Sequence, residues 1–581
     1  MKWILQNADP RCNSGVAREL RSRAASLSHS DPRTISTLAY LLHRRGITDI
    51  EYATRFLTPS LSHLHPPEQM TGIPVAVDRI DAAIERKEPI LIYGDYDVDG
   101  VTSIVLLQNV LRSLGADAAH VVPHRLVDGY GLKTEVLDRV LTARDVRLVI
   151  TVDCGITSIE PVRRAIESGI DVIITDHHLP PGILPEAAAV LNPKQPGCTY
   201  PFKDLAGVGV AFKLCCELIR RSNKKTQIES LLKIAAIGTV ADVAPLIGEN
   251  RTIAWLGLKG LANPRNPGLR AMIRRLGLLG RPLRSVDVGF KIGPRINAAG
   301  RLSSAETAIE LFAARTEEEA WPLCAELDRM NAERQRIGEE VLTAAEEQLT
   351  GLGALGAVEP DNAGAQQPRH RILIAAGEAW HKGVVGLAAG RLANRHHRPT
   401  LVISMEGERC VGSGRSIPTV NLHAQMEAVS DVFTHFGGHE FACGFSLERK
   451  NLDALRERLA AQLATLDPSL FLREAQVDAE LTLGAMDAEL ITAHELLQPF
   501  GAGNTQPLFV IRNVEVLNSR TFAPDCIELS VDDGTGRGVA IIWPSARVLA
   551  ARLERGARAD LLVQVEPDSW CGARMTVVDC R

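Results

Sequence analysis

The 581-residue sequence predicts two α/β domains joined by a long helix and followed by a C-terminal β-barrel. Three observations predict this class. Short apolar runs alternate with helical patterns from about 88 to 194, the mark of a parallel sheet covered on both faces. A long charged helical pattern at 316–350 leads into a second strand–helix alternation at about 370–466. The last hundred residues then switch to closely spaced strands, as in a small closed barrel. Length requires the division, because a single core stops growing well below this size.

Residues 1–85 read as a helical, partly basic module broken at HLHPPEQM. Within 86–315 the strand candidates are ILIYG, HVVP, RLVITV, DVIIT and AAVLNP, and 205–246 reads as helices rich in Ala, Leu and Ile. The connecting helix spans 316–350 and is strongly charged on one face. Residues 351–369 are Gly/Ala/Pro-rich without periodicity and are expected as a flexible loop. Strands at RILIAAG and TLVISME carry the domain at 370–466. The terminal unit, 467–581, offers LFVIRNVEVL, CIELSVDDG, GVAIIW, ADLLVQV and RMTVVD, with a hairpin turn at DDGTGRG.

Composition is that of an ordinary globular protein, 45% hydrophobic and 23% charged, with mean hydropathy near zero. No apolar run approaches a membrane span, and MKWILQNADPRC lacks a basic start followed by an apolar stretch, so neither membrane insertion nor secretion is expected. The eleven cysteines show no CxxC spacing and read as reduced thiols of a cytoplasmic protein. A net charge of −5 argues against a uniformly basic nucleic-acid binder. It leaves room for a local channel: 263–301 holds nine Arg and Lys residues against Asp287 alone, and a phosphate-tracking face is expected there.

Carboxylates and histidines recur where chemistry is expected. GDYDVDG packs Asp95, Asp97 and Asp99 into five residues after a strand, a repulsion that a cation would relieve. A calcium loop is excluded, because its closing Glu would fall at position 106, which is Leu, and because the preceding PILIY is strand-like. Asp153 follows LVITV, and Asp176, His177 and His178 follow VIIT. Three clusters thus close parallel strands, where an open α/β sheet binds its ligand. Asp242 sits in the nearly apolar AAIGTVADVAPL, where a buried carboxylate needs a partner. Asp97, Asp99, Asp153 and Asp242 balance two divalent cations, and oxygen donors with one His suit Mn²⁺ or Mg²⁺ better than Zn²⁺. Paired ions of this kind hydrolyse phosphate esters.

In that order DYDVDG, VDCG, TDHH and GTVADV resemble the four motifs of the DHH phosphoesterase superfamily. GPRINAAGRLSSAETAIELF, WHKGVVGLAAGRL, GSGRS, FGGHEFACGFSL and PFGAGNTQPLF resemble the RecJ single-strand DNA exonucleases, over about residues 40–575. The resemblance implies a catalytic DHH domain, a DHH-associated domain and a C-terminal OB-fold. It implies 5′→3′ degradation of single-stranded DNA to 5′-mononucleotides in recombination and repair. By motif, Asp97, Asp99, Asp153, His177 and Asp242 match the metal ligands. His178 matches the histidine that meets the scissile phosphate. Arg301, Ser413 and Arg415 match a 5′-phosphate pocket, with Arg295 and His439 beside the DNA. Tyr93 stands where many members carry a ligating His, and Asp95 is the candidate replacement. The family also implies a monomer that works with a helicase and a single-strand-binding protein. Arg donors suit phosphate independently of the resemblance. In the OB-fold, Phe500, Phe509, Phe522 and Trp543 are available for stacking on bases, although core packing is the expected role of each. The rival readings are a DHH hydrolase of short RNA, cyclic dinucleotides or pyrophosphate, and an inactive RecJ-like scaffold.

Overall fold

A computed structural model describes residues 1–5, 18–20, 22, 31–125, 127–129, 131–222, 228–355, 358–360, 366–368, 370–523, 526–568 and 572–581. The first sheet is wholly parallel. Its strands are β1 (Ile90–Gly94), β2 (Ala118–Val121), β3 (Leu148–Val152), β4 (Asp171–Thr175) and β5 (Ala189–Leu191), in the order β2-β1-β3-β4-β5. Every residue of β1 and β3 is buried, because helices cover both faces and no polar alternation is needed. The strand order reverses between β1 and β3, which opens a crevice at their carboxyl ends.

Helix α1 (Val98–Leu114) starts directly after β1. Asp97 caps it, accepting hydrogen bonds from Asp99 N and Gly100 N. Gly100 is required there, since a Cβ would lie 2.3 Å from the Asp95 carbonyl oxygen. Behind the sheet come α2 (Gly207–Ser222), α3 (Ile228–Ala241), α4 (Gly248–Gly260) and α5 (Gly293–Leu302). The connecting helix α6 (Glu317–Gly351) is capped by Thr316, and Glu317, Glu318 and Glu319 in its first turn oppose the helix dipole.

The second sheet is mixed. Strands β6 (Leu373–Glu378) and β7 (Thr400–Glu406) flank helix α7 (Lys382–His396) and pair in parallel. Strands β8 (Arg409–Arg415), β9 (His435–His439) and β10 (Ala442–Glu448) add to them antiparallel. Gly412–Arg415 of the GSGRS segment therefore lies on β8, and Gly437–His439 on β9. The terminal barrel consists of β11 (Leu508–Ala523), β12 (Cys526–Asp532), β13 (Arg537–Ile542), β14 (Arg558–Asp568) and β15 (Gly572–Cys580). It closes by pairing β11 with β14, which removes the free edges.

Three stretches differ from expectation. Lys2–Leu5 is a strand parallel to Glu474–Val477 rather than part of a helical module. The helices Pro32–Arg44 and Ile50–Leu57 pack into the core of the terminal barrel, whereas Ile73–Glu85 packs on the first sheet, so 1–85 serves two cores. Where a loop is expected at 351–369, α6 reaches Gly351 and Val358–Pro360 pairs with Gln366–Pro368. Positions 356–357, 361–365 and 369 of that stretch lie outside the described residues. Among the described residues, no helix is long and apolar enough to cross a membrane, and nine cysteines are free thiols.

Arg251 ties the cores together. It is 2% exposed on α4 and has no carboxylate partner among the described ion pairs. Instead it donates to the carbonyls of Phe56 (2.8 Å), Leu497 (3.1 Å) and Gln498 (2.7 Å), with its guanidinium 3.5 Å from the Phe56 ring centre. Burial pushes its pKa down to about 9. Arg251→Ala would strand three buried carbonyls and should cost on the order of 3 kcal/mol. The expected result is an earlier thermal transition and proteolytic release of the barrel. An unchanged melting curve would show that the junction is held elsewhere.

Candidate metal centre and phosphate pocket

The crevice at the β1/β3 switch gathers the acidic clusters. Candidate ligand atoms of Asp99, His177 and Asp242 lie within 4.8 Å of one another, as do those of Asp95, Asp97 and Asp153, and those of Asp153, His177 and His178. His177 stands among the carboxylates, with Nε2 3.2 Å from Asp153 and 3.9 Å from Asp99, and Nδ1 3.9 Å from Asp242. Asp153 adopts φ +60° at the end of β3, a costly conformation for a non-glycine residue that turns its carboxylate into the crevice. Gly207 makes room for it, since a Cβ there would lie 2.6 Å from Asp153 Oδ1. Asp99 is fixed by Gly207 N and Val208 N, both at 2.7 Å, at the start of α2.

The electrostatics describe a cluster short of positive charge. Burial, and then the neighbouring carboxylates, raise the pKa of Asp95, Asp153 and Asp242 well above the ordinary range. Burial and Asp97 raise Asp99 to about 7. Asp95 Oδ1 is buried with no hydrogen-bond partner among the described residues. Burial and the charge of His178 hold His177 at about 3, so its imidazole is neutral and can ligate. Hard, mutually repelling carboxylate oxygens with one neutral imidazole fit a pair of Mn²⁺ or Mg²⁺ ions.

Asp176, which no motif role covers, is the hub of the hydrogen bonds around the two histidines. It accepts from Ile156 N, His177 N, His178 N and, at 2.7 Å, His178 Nδ1. Burial opposes its charge, but these donors, His178 first, keep its pKa below the usual range. In turn, burial disfavours the His178 imidazolium, yet Asp176, Asp97 and Asp95 prevail and its pKa is raised. The DHH triplet in the sequence was the available signal for this pair.

Across the crevice the second sheet supplies His439, whose ring stacks on His178 at 6.3 Å. Beside it lies a cationic pocket. Arg415 donates to Ser413 Oγ (2.8 Å), and both press on Gly386 in α7, where a Cβ would lie 2.9 Å from Ser413 Oγ. Arg301, at the end of α5, donates to Gly383 O (3.2 Å). Burial pushes Arg301 down to about 9, helped by the charges of Arg125, Arg415 and Arg334. Arg125, 4.9 Å over the Tyr96 ring, completes this group from the loop after β2; no motif in the sequence marked it.

Seven other cations of the stretch at 263–301 are ion-paired, two of them with Asp287 inside it and five with acids remote in sequence. Arg270 and Arg274 pair with Glu317, Arg275 and Arg295 with Asp328, Arg281 and Lys291 with Asp287, and Arg284 with Glu495. The expected phosphate-tracking face is thus largely ion-paired, and Arg295, expected beside the DNA, donates to Asp328 at 2.6 Å. In the barrel, Phe509 is buried as expected. Phe522 and Trp543 differ, being 47% and 37% exposed and paired edge-to-face at 6.3 Å, because they fall at strand ends on the rim.

Family models match in three places: the DHH family N-terminal domain at 89–239, the DHHA1 domain at 370–465 and the RecJ OB domain at 477–579. A relative named single-stranded-DNA-specific exonuclease RecJ from Bacillus subtilis is 37% identical over 88% of this chain, which spans 62% of that protein's length. The relative of the same name from Salmonella typhimurium is 35% identical over 85% of this chain and 86% of its own. The chain belongs to the RecJ family. The solved structure of Thermus thermophilus RecJ in complex with Mn²⁺ covers the whole of this chain, using 79% of its own, with a TM-score of 0.81 at 27% identity. A RecJ structure described as bound to manganese is 32% identical over 70% of this chain and 97% of its own, with a TM-score of 0.59. The RecJ architecture thus accounts for both α/β sheets and the barrel.

Proposed function

We propose that the chain is a single-stranded-DNA-specific 5′→3′ exonuclease that releases 5′-mononucleotides in recombination and repair. The observation that carries this reading is the cationic pocket of Arg301, Ser413, Arg415 and Arg125 beside the carboxylate cluster. A terminal phosphate held there sits a fixed step from the bond to be cut. Asp97, Asp99, Asp153, His177 and Asp242, with Asp95 in place of the ligand missing at Tyr93, hold two Mn²⁺ or Mg²⁺ ions. Bound there, the ions supply charge neutralisation for the phosphodiester and acidify the attacking water.

The chain's own groups do the rest. Asp153 and His177 each belong to two of the three ligand groups and so link them. Asp176 accepts from Nδ1 and favours the charged form of His178, in which Nε2 donates to the scissile phosphate. His439 lies parallel to His178 on the opposite side of the crevice, with ring centres 6.3 Å apart. The arginine forks and the first turn of α7 hold the 5′-phosphate. The exposed Phe522–Trp543 pair offers a stacking surface to bases on the barrel. The same family reading makes the protein a cytoplasmic monomer that acts with a helicase and a single-strand-binding protein.

The test is digestion of single-stranded DNA labelled at either end, with Mn²⁺. Release of labelled mononucleotide from the 5′ end first supports the reading. Cleavage of only short RNA or cyclic dinucleotide would move the substrate elsewhere in the superfamily, and no cleavage with any metal would favour a scaffold. Asp176→Asn should lower the rate about 10- to 100-fold with the ligands intact; a wild-type rate would remove His178 from the chemistry.

A further inference from the structure

The segment Pro499–Asn504 enters the terminal barrel and has no part in the chemistry above. It nevertheless meets the loop that carries Asp242. Helix α3 ends at Ala241, Val243 turns at φ +61°, and Pro245–Ile247 leads into α4. Leu246 N donates to Ala502 O at 2.7 Å. Gly501 lies against the Leu246 side chain, where a Cβ would come within 2.7 Å of Cδ1, and Gly503, at φ +70°, lies against Pro245 and Ile247. The segment is itself rigid. Gly501 and Asn504 exchange backbone hydrogen bonds at 2.9 and 3.2 Å. The Asn504 side chain, 1% exposed, donates to Leu497 O and Pro499 O and accepts from Arg45 Nε. Ser285 Oγ donates to Phe500 O.

Asp242 needs such support. Asp97 and Asp99 are each fixed by two backbone N–H groups, whereas no side-chain hydrogen bond to Asp242 is found among the described residues. Its carboxylate meets His177 Nδ1 at 3.9 Å and is otherwise aimed by its backbone, which follows the last residue of α3, bonds to Gly238 O at 2.8 Å and precedes the β-branched Val243 at positive φ. The backbone beyond is held from one side by Asn250 Nδ2 on Pro245 O (3.1 Å), and from the other by Ala502.

We infer that Pro499–Asn504 is a positioning element for Asp242, so that docking of the DNA-binding barrel sets the affinity of one of the two metal positions. The inference rests on the metal reading proposed above. Asp242 is the ligand whose loop meets the barrel segment, through Leu246 N and Ala502 O; the other ligands follow strands of the first sheet or start α1. A protein whose barrel segment is displaced therefore keeps one ion and loses the other.

The test is calorimetric titration of the full-length protein with Mn²⁺, without DNA. Wild type should bind two ions. Gly501→Val, which drives a side chain into Leu246, should weaken one of the two about 10- to 100-fold and leave the other unchanged. Gly501→Val combined with Leu246→Ala, which reopens the space, should restore it. Asn504→Asp, which converts the two amide donors into acceptors facing carbonyls, should act like Gly501→Val without added bulk and covers the case in which the valine prevents folding. Two unchanged sites in a folded Gly501→Val or Asn504→Asp protein would overturn the inference and leave the metal reading intact. Fewer than two ions bound by wild type would overturn both.

Discussion

Asp153→Asn is expected to abolish Mn²⁺-dependent release of nucleotides from single-stranded DNA, lowering the rate about 10³-fold or more. The residue belongs to two of the three ligand groups and lies 3.2 Å from His177 of the third, so the change disturbs both metal positions. Loss of several kcal/mol of charge stabilisation at the phosphate corresponds to that factor. The same variant should be more thermally stable than wild type in EDTA, because one of the mutually repelling buried carboxylates is gone. It should also lose most of the stabilisation that Mn²⁺ confers on wild type, since binding to the folded state is linked to stability. Rates and melting temperatures with and without Mn²⁺ check all three. A variant that still degrades DNA at near the wild-type rate would exclude Asp153 as a ligand.

The raised carboxylates also fix a sign. Asp95, Asp99, Asp153 and Asp242 bind protons more tightly folded than unfolded, with Asp99 near 7. Between about pH 4, where unfolded carboxylates titrate, and pH 7, the folded state holds the extra protons. Metal-free stability should therefore fall as pH rises through this window. Mn²⁺ should remove the fall by neutralising the same groups, and Asp153→Asn should reduce it in EDTA.

Arg415→Ala is expected to erase the preference for a 5′-phosphate. Arg415 holds Ser413 and, with Arg301 and Arg125, forms a group of half-buried cations close to the carboxylates without a neutralising ion pair among those described. A charged hydrogen bond to phosphate is worth about 1.5–3 kcal/mol, so kcat/KM on a 5′-phosphorylated strand should fall about 10- to 100-fold. On a 5′-hydroxyl strand it should change little. Arg301→Lys should fall between, since an ammonium keeps the charge without the fork. Equal losses on both strands would show that Arg415 supports the fold of the second sheet rather than the phosphate.

Some of this was decided by local chemistry. ILIYG, LVITV and DVIIT are continuous apolar runs, and such runs form buried strands whatever surrounds them; DVIIT coincides with its strand, β4. The carboxylates and histidines that follow these strands inherit their place, because the carboxyl ends of a parallel sheet share one edge. The barrel strands and the 35-residue connecting helix were legible for the same reason, since period and length are properties of a segment. Other features depended on which surfaces meet. The arginines of 263–301 look like a basic face until Glu317, Asp328 and Glu495, remote in sequence, neutralise them. Phe522 and Trp543 have apolar side chains but fall on the barrel rim. The helices at 32–57 and 73–85 carry similar apolar faces, yet only the packed chain assigns one to the barrel and the other to the first sheet. Arg125 and the support of Asp242 by Pro499–Asn504 come from loops with no periodicity to read. The sequence determined which segments form strands and helices and which ends carry carboxylates, because backbone geometry and burial act over a few residues. The tertiary structure decided which charges are paired, which aromatics are exposed and what holds Asp242, because those outcomes depend on partners hundreds of residues away.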